Sequence, residues 1–490
     1  MKKDLKSSTL NAASWNFTKI MVGQFRNFVV STILARLLFP EDFGLLGLAM
    51  VFASLTDSFV DFGFGNAIIQ KQRVNKTQLS TVFWINMLMA ALLGVAMFFS
   101  ASWVAVYFEM PQLKPITQLM SLTFLIKGLS TLQNALFQKK LDFKTPFKIE
   151  LVSGFISGGV GIYLAYTGFG VYSLIYSQIS GWVIGTILIW YFSPWKPSFL
   201  FDIKQVKELW NFGYKYSLSI FIDSVFNKLD TIIIGKLFSA STLGLFYKAQ
   251  SLDNLVFTFA FSSISGVLFP SFSKIADDNK RLRDALIRVL HVVCFTTFLF
   301  SGLAVINAKS IIVLLFTEKW LGSVPIFQIL GLFTFIHTIP TILVTPVLSI
   351  GKSGANLKVE IIKKALYLLA IPVAIYYGLY AYIIATIAAA IIGMYFNLVL
   401  LRRFFDFKIG SFMKLFLTYF IPFIIVMIIE FLMPEMEFNH FLLIAIKSSI
   451  YILCYFLINI VAKTKGFTEF MDLLKILKNT YLERKKRLQS

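Results

Sequence analysis

Residues that hold metals or disulfides are scarce in this sequence. Its 490 residues include two cysteines and three histidines. Cys294 and Cys454 both fall inside apolar runs, so we expect buried free thiols rather than a disulfide framework. We interpret His291 and His337 as polar residues with local partners rather than as proton relays. No metal and no organic cofactor are expected.

Charged residues are also sparse, at 14% of the chain, whereas 57% is hydrophobic and 53 residues are phenylalanine. A soluble protein of this length has too little interior to bury so much apolar surface. A net charge of +21 is typical of nucleic-acid-binding proteins, but here the basic residues interrupt apolar runs. The composition predicts an all-α integral membrane protein that binds no nucleic acid.

Signatures of common enzymes are missing. The chain has no GxxxxGK[ST], no HExxH and no nucleophile elbow. The stretch "DFGFG" at 61–65 resembles a glycine-rich loop only superficially, because we place it at the end of a membrane helix. No predicted connection is long enough for a catalytic domain. We therefore expect a protein that is not an enzyme.

Apolar runs of about 20 residues predict about 14 transmembrane helices. Their order suggests two six-helix lobes, followed by helices 13 and 14 and a basic, amphipathic cytoplasmic tail. The corresponding ranges are 1–200, 201–405, 406–463 and 464–490.

The distribution of basic residues predicts the orientation. The loops on the side of the N-terminus carry 31 Lys and Arg residues, whereas those on the other side carry only Lys114, Lys309 and Lys319. Basic residues accumulate in cytoplasmic loops. Both termini are therefore expected in the cytoplasm.

Two stretches that lie 200 positions apart have similar sequences. "LARLLFPEDFGLLGLA" (34–49) and "IGKLFSASTLGLFYKA" (234–249) share Leu37/Leu237 and Gly44/Gly244, among other identities. We expect Pro40 at the first position of a helix and Ser239 as a helix cap. Six predicted spans separate the copies, and an even number gives parallel repeats.

Several ionic residues fall inside the predicted spans. A central charge that faces lipid costs roughly 2.5–3.5 kcal/mol, so these side chains must face one another or water. Helical spacing places ionic and amide side chains on single stripes, at Lys19 and Arg26, at Asp57 and Asp61, at Asp223, Asn227 and Asp230, and at Gln250 and Asn254. Two interpretations stay open: paired structural ions, or the lining of a substrate cavity. Glu360 is expected to neutralise Lys364, which leaves Lys363 as the freer cation.

Some longer stretches resemble a known family. They include "LARLLFPEDFGLLGLAMVFASLTDSFVDFGFGNAIIQ" (34–70), "GFGVYSLIYSQ" (168–178), "LDTIIIGKLFSASTLGLFYKAQSL" (229–252) and "TEKWLGSVPIFQILGL" (317–332). In these the chain resembles the Wzx-type polysaccharide and O-antigen flippases, in particular the colanic-acid-exporter branch of the multidrug/oligosaccharidyl-lipid/polysaccharide (MOP) exporter superfamily, which includes the MATE transporters.

The resemblance implies a multi-pass protein of the bacterial inner membrane that flips undecaprenyl-diphosphate-linked oligosaccharides by alternating access. Such proteins serve exopolysaccharide, capsule or O-antigen synthesis, which includes lipopolysaccharide biosynthesis. Polysaccharide polymerase and glycosyltransferases are implied partners, and we expect a monomer. Lys19, Arg26, Arg36, Lys236 and Lys363 are the expected diphosphate-binding cations. The candidates for proton or sodium coupling, or for gating, are Asp57, Asp61, Asp223, Asn227, Asp230 and Gln250.

Three alternatives compete with this function. A multidrug or organic-cation antiporter of the same superfamily would favour an acidic, aromatic cavity, which the Lys19 and Arg26 stripe disfavours. A membrane glycosyltransferase or polymerase would need a large catalytic loop. A passive scramblase is compatible with the same sequence, because coupling leaves no signature in it.

Overall fold

Helices account for the regular structure in the computed structural model, which describes residues 21–432, 438–472 and 475. No strand occurs within those residues. The chain divides into two compact units, Met1–Gly244 and Leu245–Ser490. The lobe boundary at 200 stays a prediction.

From residue 21 onward, the first unit contains eight helices and the start of a ninth. They are α1 (21–37), α2 (Pro40–Val60), α3 (Phe64–Gln70), α4 (Lys76–Phe108), α5 (Leu113–Lys139), α6 (Lys144–Tyr166), α7 (Val171–Phe192), α8 (Lys207–Leu237) and α9 (Ala240–Ser273). A short 3-10 helix, Ile203–Val206, precedes α8.

The second unit continues from within α9. Its helices are α10 (Asn279–Ile306), α11 (Ala308–Phe316), α12 (Ser323–Leu332), α13 (Phe335–Ser349), α14 (Ser353–Leu368), α15 (Ala370–Phe405), α16 (Ile409–Leu432), α17 (His440–Val461) and α18 (465–472). Gly378 interrupts α15 with a φ of 83°, a left-handed conformation that glycine adopts without steric cost.

Eight segments of the described chain are long and apolar enough to cross a membrane. They are Lys76–Phe108, Lys144–Tyr166, Val171–Phe192, Asn279–Ile306, Ser323–Ser349, Ala370–Phe405, Ile409–Leu432 and His440–Val461. The prediction of an all-α multi-pass membrane protein is confirmed. The number of 14 spans stays a prediction.

The helical hairpins around residues 40 and 240 have the same construction. Helices α1 and α8 end at residues 37 and 237, and α2 and α9 begin at Pro40 and Ala240. The Asp42 carboxylate accepts a hydrogen bond from the Phe39 N–H at 2.9 Å. The Ser239 hydroxyl oxygen accepts one from the Thr242 N–H at 3.1 Å. The predicted Pro40 start and Ser239 cap are confirmed, and so is the 200-residue period of these two hairpins.

The beginnings of α2 and α9 meet through their backbones in a reciprocal contact. A methyl group added at Gly44 would overlap the carbonyl oxygen of Ala240, and one added at Gly244 would overlap that of Pro40. Only glycine lets two helices approach so closely. Because 40 pairs with 244 and 44 with 240, the contact follows the sequence repeat.

The "DFGFG" stretch forms the break between α2 and α3, as predicted for a helix end. Phe62 and Gly63 have positive φ angles of 46° and 69°. The carbonyl group of Phe62 lies directly against Gly213 of α8, and the Phe62 ring stacks on Trp210 with centroids 5.0 Å apart. The Lys139 amine donates to the carbonyl groups of Ile68 and Lys71 at the end of α3. These contacts fix the short helix between α5 and α8.

Small residues bring α6 and α7 together in an antiparallel pair. A methyl group at Gly161 would lie 2.8 Å from the Ser177 Cβ, and one at Gly181 would lie 3.0 Å from the Ser157 Cβ. The Ser177 hydroxyl donates to the Ser157 carbonyl at 2.7 Å. Close packing of small residues is the usual interface of membrane helices. The packing of α6 on α7 therefore fixes which faces of these two helices lie next to α5.

In the second unit, α16 and α17 pack on α10. The Tyr451 and Tyr455 hydroxyls donate to the carbonyl groups of Phe298 and Phe295, at 2.8 and 3.1 Å. Helix α18 returns to the same place, because the rings of Phe467 and Phe470 both contact Phe295. The first residues of the predicted cytoplasmic tail therefore pack against α10. The remainder, apart from residue 475, lies outside the described residues.

We predict that Gly44→Ala destabilises the protein by about 1–3 kcal/mol, the usual cost of overpacking. The added methyl group must push the Ala240 carbonyl away. Gly159→Ala is the matched control, since nothing lies within 4 Å of its added methyl group. Fluorescence-detected gel filtration after heating measures both variants. Equal melting temperatures would contradict the close contact.

Candidate functional site

Arg26 of α1 packs against α6. Its Nη1 donates to the Glu150 carbonyl oxygen at 2.6 Å, and its Nη2 lies 3.9 Å from the Glu150 carboxylate. The guanidinium also donates to Asn27 Oδ1, and it occupies the space that a side chain at Gly154 would need. Its side chain is only 12% exposed. Arg26 is thus a largely buried cation whose acidic neighbour comes from 124 residues away.

A pocket of about 190 Å³ lies between α5, α6 and α7, and Glu150 forms part of its wall. We call it the α5–α6–α7 pocket. Its polar lining includes Lys127, Ser130, Asn134, Glu150, Ser153 and Trp182. The Lys127 amine lies 4.5 Å from the centre of the Trp182 indole ring, a cation–π distance. Trp182 is therefore an aromatic partner of Lys127 in the pocket wall.

Lys236, in the last turn of α8, is held by α4. Its amine donates to Glu109 Oε1 at 2.8 Å and to the Tyr107 carbonyl at 2.6 Å. The hydrogen bond from Lys236 holds the pKa of the exposed Glu109 carboxyl below its usual value. The carboxyl is therefore ionised at neutral pH, and its contribution to stability is lost only as the pH falls through that lowered pKa. Lys236 acts here as half of a surface ion pair.

Asp61 links the end of α2 to α3 and α4. Both of its carboxylate oxygens accept from the Gly65 N–H, at 3.1 and 2.9 Å, and Oδ1 also accepts from the Asn86 amide at 3.1 Å. The carboxylate thus binds a backbone N–H in the first turn of α3, whose N-cap position is Gly63. The structure therefore gives Asp61 a structural position, while its role in ion coupling stays a prediction.

Lys363 of α14 is paired, which corrects one expectation. Its amine donates to Glu360 Oε1 at 2.7 Å, one turn earlier. The expectation that Lys363 would be the freer cation is wrong, because positions i+3 and i+4 are both within reach of Glu360 on a helix. The role of Lys363 in substrate binding stays a prediction.

The other predicted site residues are placed as follows. Arg36 is exposed near the end of α1. Asp223 and Asn227 are exposed on α8, whereas Asp230 of α8 and Gln250 of α9 are half-buried. Lys19 and the Asp57 side chain lie outside the described residues.

The hydrogen-bonding partners of Arg26, Lys236 and Asp61 are residues that the sequence did not predict as part of the site. Sequence reasoning missed Glu150, Glu109 and Asn86 as these partners. One signal was available for Glu150. It lies four residues before Gly154, so one face of α6 combines a carboxylate with space for a large side chain.

Two further buried ionic residues in α9 were missed as site candidates. Lys248 is 1% exposed, and its amine lies 5.0 Å from the centre of the Phe316 ring and 5.7 Å from the Trp320 ring. Asp253 is 3% exposed and accepts a hydrogen bond from the Thr334 hydroxyl at 2.6 Å. The second unit thus has its own buried polar centres between α9 and the segment 316–334.

Residues 33–325 match the family described as polysaccharide biosynthesis protein. This match spans more than half of the 490 residues. The chain belongs to the polysaccharide biosynthesis protein family. One relative, the lipopolysaccharide biosynthesis protein WzxC of Escherichia coli (strain K12), is 26% identical over 379 residues, which are 75% of each chain. The predicted resemblance to the Wzx-type flippases is confirmed.

Solved structures support the fold of this polysaccharide biosynthesis protein. A lipid II flippase, MurJ, in an inward closed conformation matches it with a TM-score of 0.72 at 18% identity, over 93% of this chain and 99% of that one. An inward-facing multidrug resistance MATE family transporter of the MOP superfamily matches with 0.59 at 14% identity, over 80% and 98%. The predicted MATE-like fold is confirmed.

We predict that Asp61→Ala lowers stability by about 1–3 kcal/mol, because the Gly65 N–H and the Asn86 amide lose their acceptor. Asp61→Asn keeps an acceptor oxygen and is the matched control, which should retain most of the stability and of the activity. Melting temperature and complementation are measured in parallel. A stable Asp61→Asn protein without activity would favour ion coupling over a purely structural role of Asp61.

Proposed function

We propose that this protein is a flippase for undecaprenyl-diphosphate-linked oligosaccharide repeat units. It moves them from the inner to the outer leaflet of the bacterial cytoplasmic membrane for polysaccharide biosynthesis. The observation that carries the proposal is the family match over residues 33–325. The fold of a membrane-embedded exporter superfamily is compatible with it.

Transport suits this chain better than catalysis. The longest connection between the helices of the described residues is 193–202, which leaves no room there for a catalytic domain. Polymerases and glycosyltransferases are then partners that supply and consume the lipid-linked unit. The proposed mechanism is alternating access, with a proton or sodium gradient as the energy source, and the protein acts as a monomer.

Arg26 is the best-supported candidate for diphosphate recognition among the described cations. It is largely buried, and its carboxylate neighbour lies 3.9 Å away, beyond ordinary hydrogen-bond distance. Arginine binds phosphate through two parallel hydrogen bonds. Lys236 and Lys363 are in shorter ion pairs, at 2.8 and 2.7 Å. We therefore propose Arg26, together with Lys19 as predicted from the sequence, as the main diphosphate-binding cations. Roles of Arg36, Lys236 and Lys363 in substrate binding stay predictions.

We predict that Arg26→Ala abolishes complementation of a flippase-null strain, while the protein still accumulates in the membrane. Lys19→Ala is expected to reduce complementation at least tenfold, because a lost charge-assisted hydrogen bond is worth about 1.5–3 kcal/mol. Lys114→Ala is the control, since it removes an exposed cation far along the chain. Full activity of both Arg26→Ala and Lys19→Ala would contradict the cationic site. Efflux of organic cations instead would favour the antiporter.

The orientation is proposed from charge, with both termini in the cytoplasm. Cysteines introduced as Glu41→Cys and Ser241→Cys should react with a membrane-impermeant maleimide in intact cells, because the hairpins at 40 and 240 are then external. Lys204→Cys should react only after permeabilisation. The background is a variant that lacks Cys294 and Cys454. Labelling of 41 and 241 only in permeabilised cells would reverse the topology.

A further inference from the structure

We infer that the α5–α6–α7 pocket binds the sugar that is bonded directly to the diphosphate of the lipid-linked substrate. The inference rests on the proposed function and extends it from the lipid diphosphate to the carbohydrate. It assigns specificity to residues of α5, α6 and α7 that the charge stripes of the sequence do not include.

Glu150 connects the pocket to the proposed diphosphate site. Its carbonyl and carboxylate both face Arg26, at 2.6 and 3.9 Å, and it also lines the pocket. Glu150 is therefore shared by the proposed diphosphate site and the pocket. In the substrate, the first sugar is joined to the terminal phosphate by a single oxygen. A phosphate at Arg26 places that sugar beside Glu150.

The lining of the pocket suits a neutral ring with many hydroxyl groups. The Ser130 hydroxyl donates to the Lys127 carbonyl at 3.1 Å, and the Thr186 hydroxyl donates to the Ile126 carbonyl at 3.3 Å. Each hydroxyl oxygen keeps a lone pair that can accept from a ligand. The Asn134 amide adds a donor and an acceptor. The Trp182 indole has two faces, of which the Lys127 amine covers one, and the other can lie against the C–H side of a sugar ring.

The charges and the size of the pocket disfavour other ligands. Glu150 and Lys127 carry opposite charges, so their contributions to the lining cancel and favour neither a diphosphate nor an organic cation. A volume of about 190 Å³ is below the range of about 300–1,000 Å³ that is typical of pockets for drug-sized ligands. The pocket thus accommodates one sugar ring, and the remaining sugars of the repeat unit lie outside it.

Binding to the full-length protein in nanodiscs tests this inference. The two probes are undecaprenyl diphosphate and the lipid-linked oligosaccharide extracted from a strain that lacks this protein. Native mass spectrometry measures the affinity for each. The wild-type protein is expected to prefer the glycosylated lipid by about tenfold or more, the effect of one good aromatic contact. Trp182→Ala and Asn134→Leu should each reduce this preference to about threefold or less. Their affinity for undecaprenyl diphosphate should not change.

Tyr191→Ala is the matched control, because Tyr191 is an aromatic residue of the same helix that is 80% exposed and outside the pocket. It should keep the wild-type preference. Arg26→Ala should weaken binding of both lipids. The inference is overturned if the wild-type protein shows no preference, or if Trp182→Ala and Asn134→Leu retain it. The proposed function itself fails separately, if the wild-type protein binds neither lipid.

Discussion

An ion pair between two distant parts of the chain, Arg26 with Glu150, illustrates the constraint on which this structure depends. A charge within a bilayer has no water to solvate it, so the protein must supply partners or a polar cavity. Arg26 meets this need through one carbonyl, one amide oxygen and one carboxylate. Because those groups lie on α1 and α6, satisfying the charge also fixes how the two helices pack. Asp61 does the same for α2, α3 and α4.

The same constraint limits which charges are available to a substrate. Lys236 and Lys363 are held by carboxylates within ordinary hydrogen-bond distance. For these two residues the structure agrees better with the interpretation as paired structural ions. At Arg26, pairing and binding are compatible, because the guanidinium has five N–H donors and its carboxylate neighbour is distant enough to be exchanged for phosphate. The α5–α6–α7 pocket beside it gives the substrate a second point of attachment.

Features set by local sequence were predictable. Pro40, Asp42 and Ser239 act within one helical turn, so the hairpins and the period of 200 follow from the sequence alone. The membrane class follows from composition, and the break at 61–65 from its glycines. Partners drawn from distant helices were harder to predict, since nothing near Arg26 indicates Glu150 and nothing near Asp61 indicates Asn86. For Glu150 the signal lies on its own helix, in its spacing from Gly154. For Glu360 the helical-spacing rule could not choose the partner, because Lys363 and Lys364 lie three and four residues away and are both within reach.

The reciprocal contact of Gly44 and Gly244 has a mechanical consequence. Helices that are joined by interlocked side chains resist sliding and rotation, because knobs must leave their holes before either motion can begin. Here backbone lies on backbone with no side chain between, so the two helices can rotate at their crossing without a side chain leaving a hole. A contact of that kind keeps the two helices close together and still lets the angle between them change.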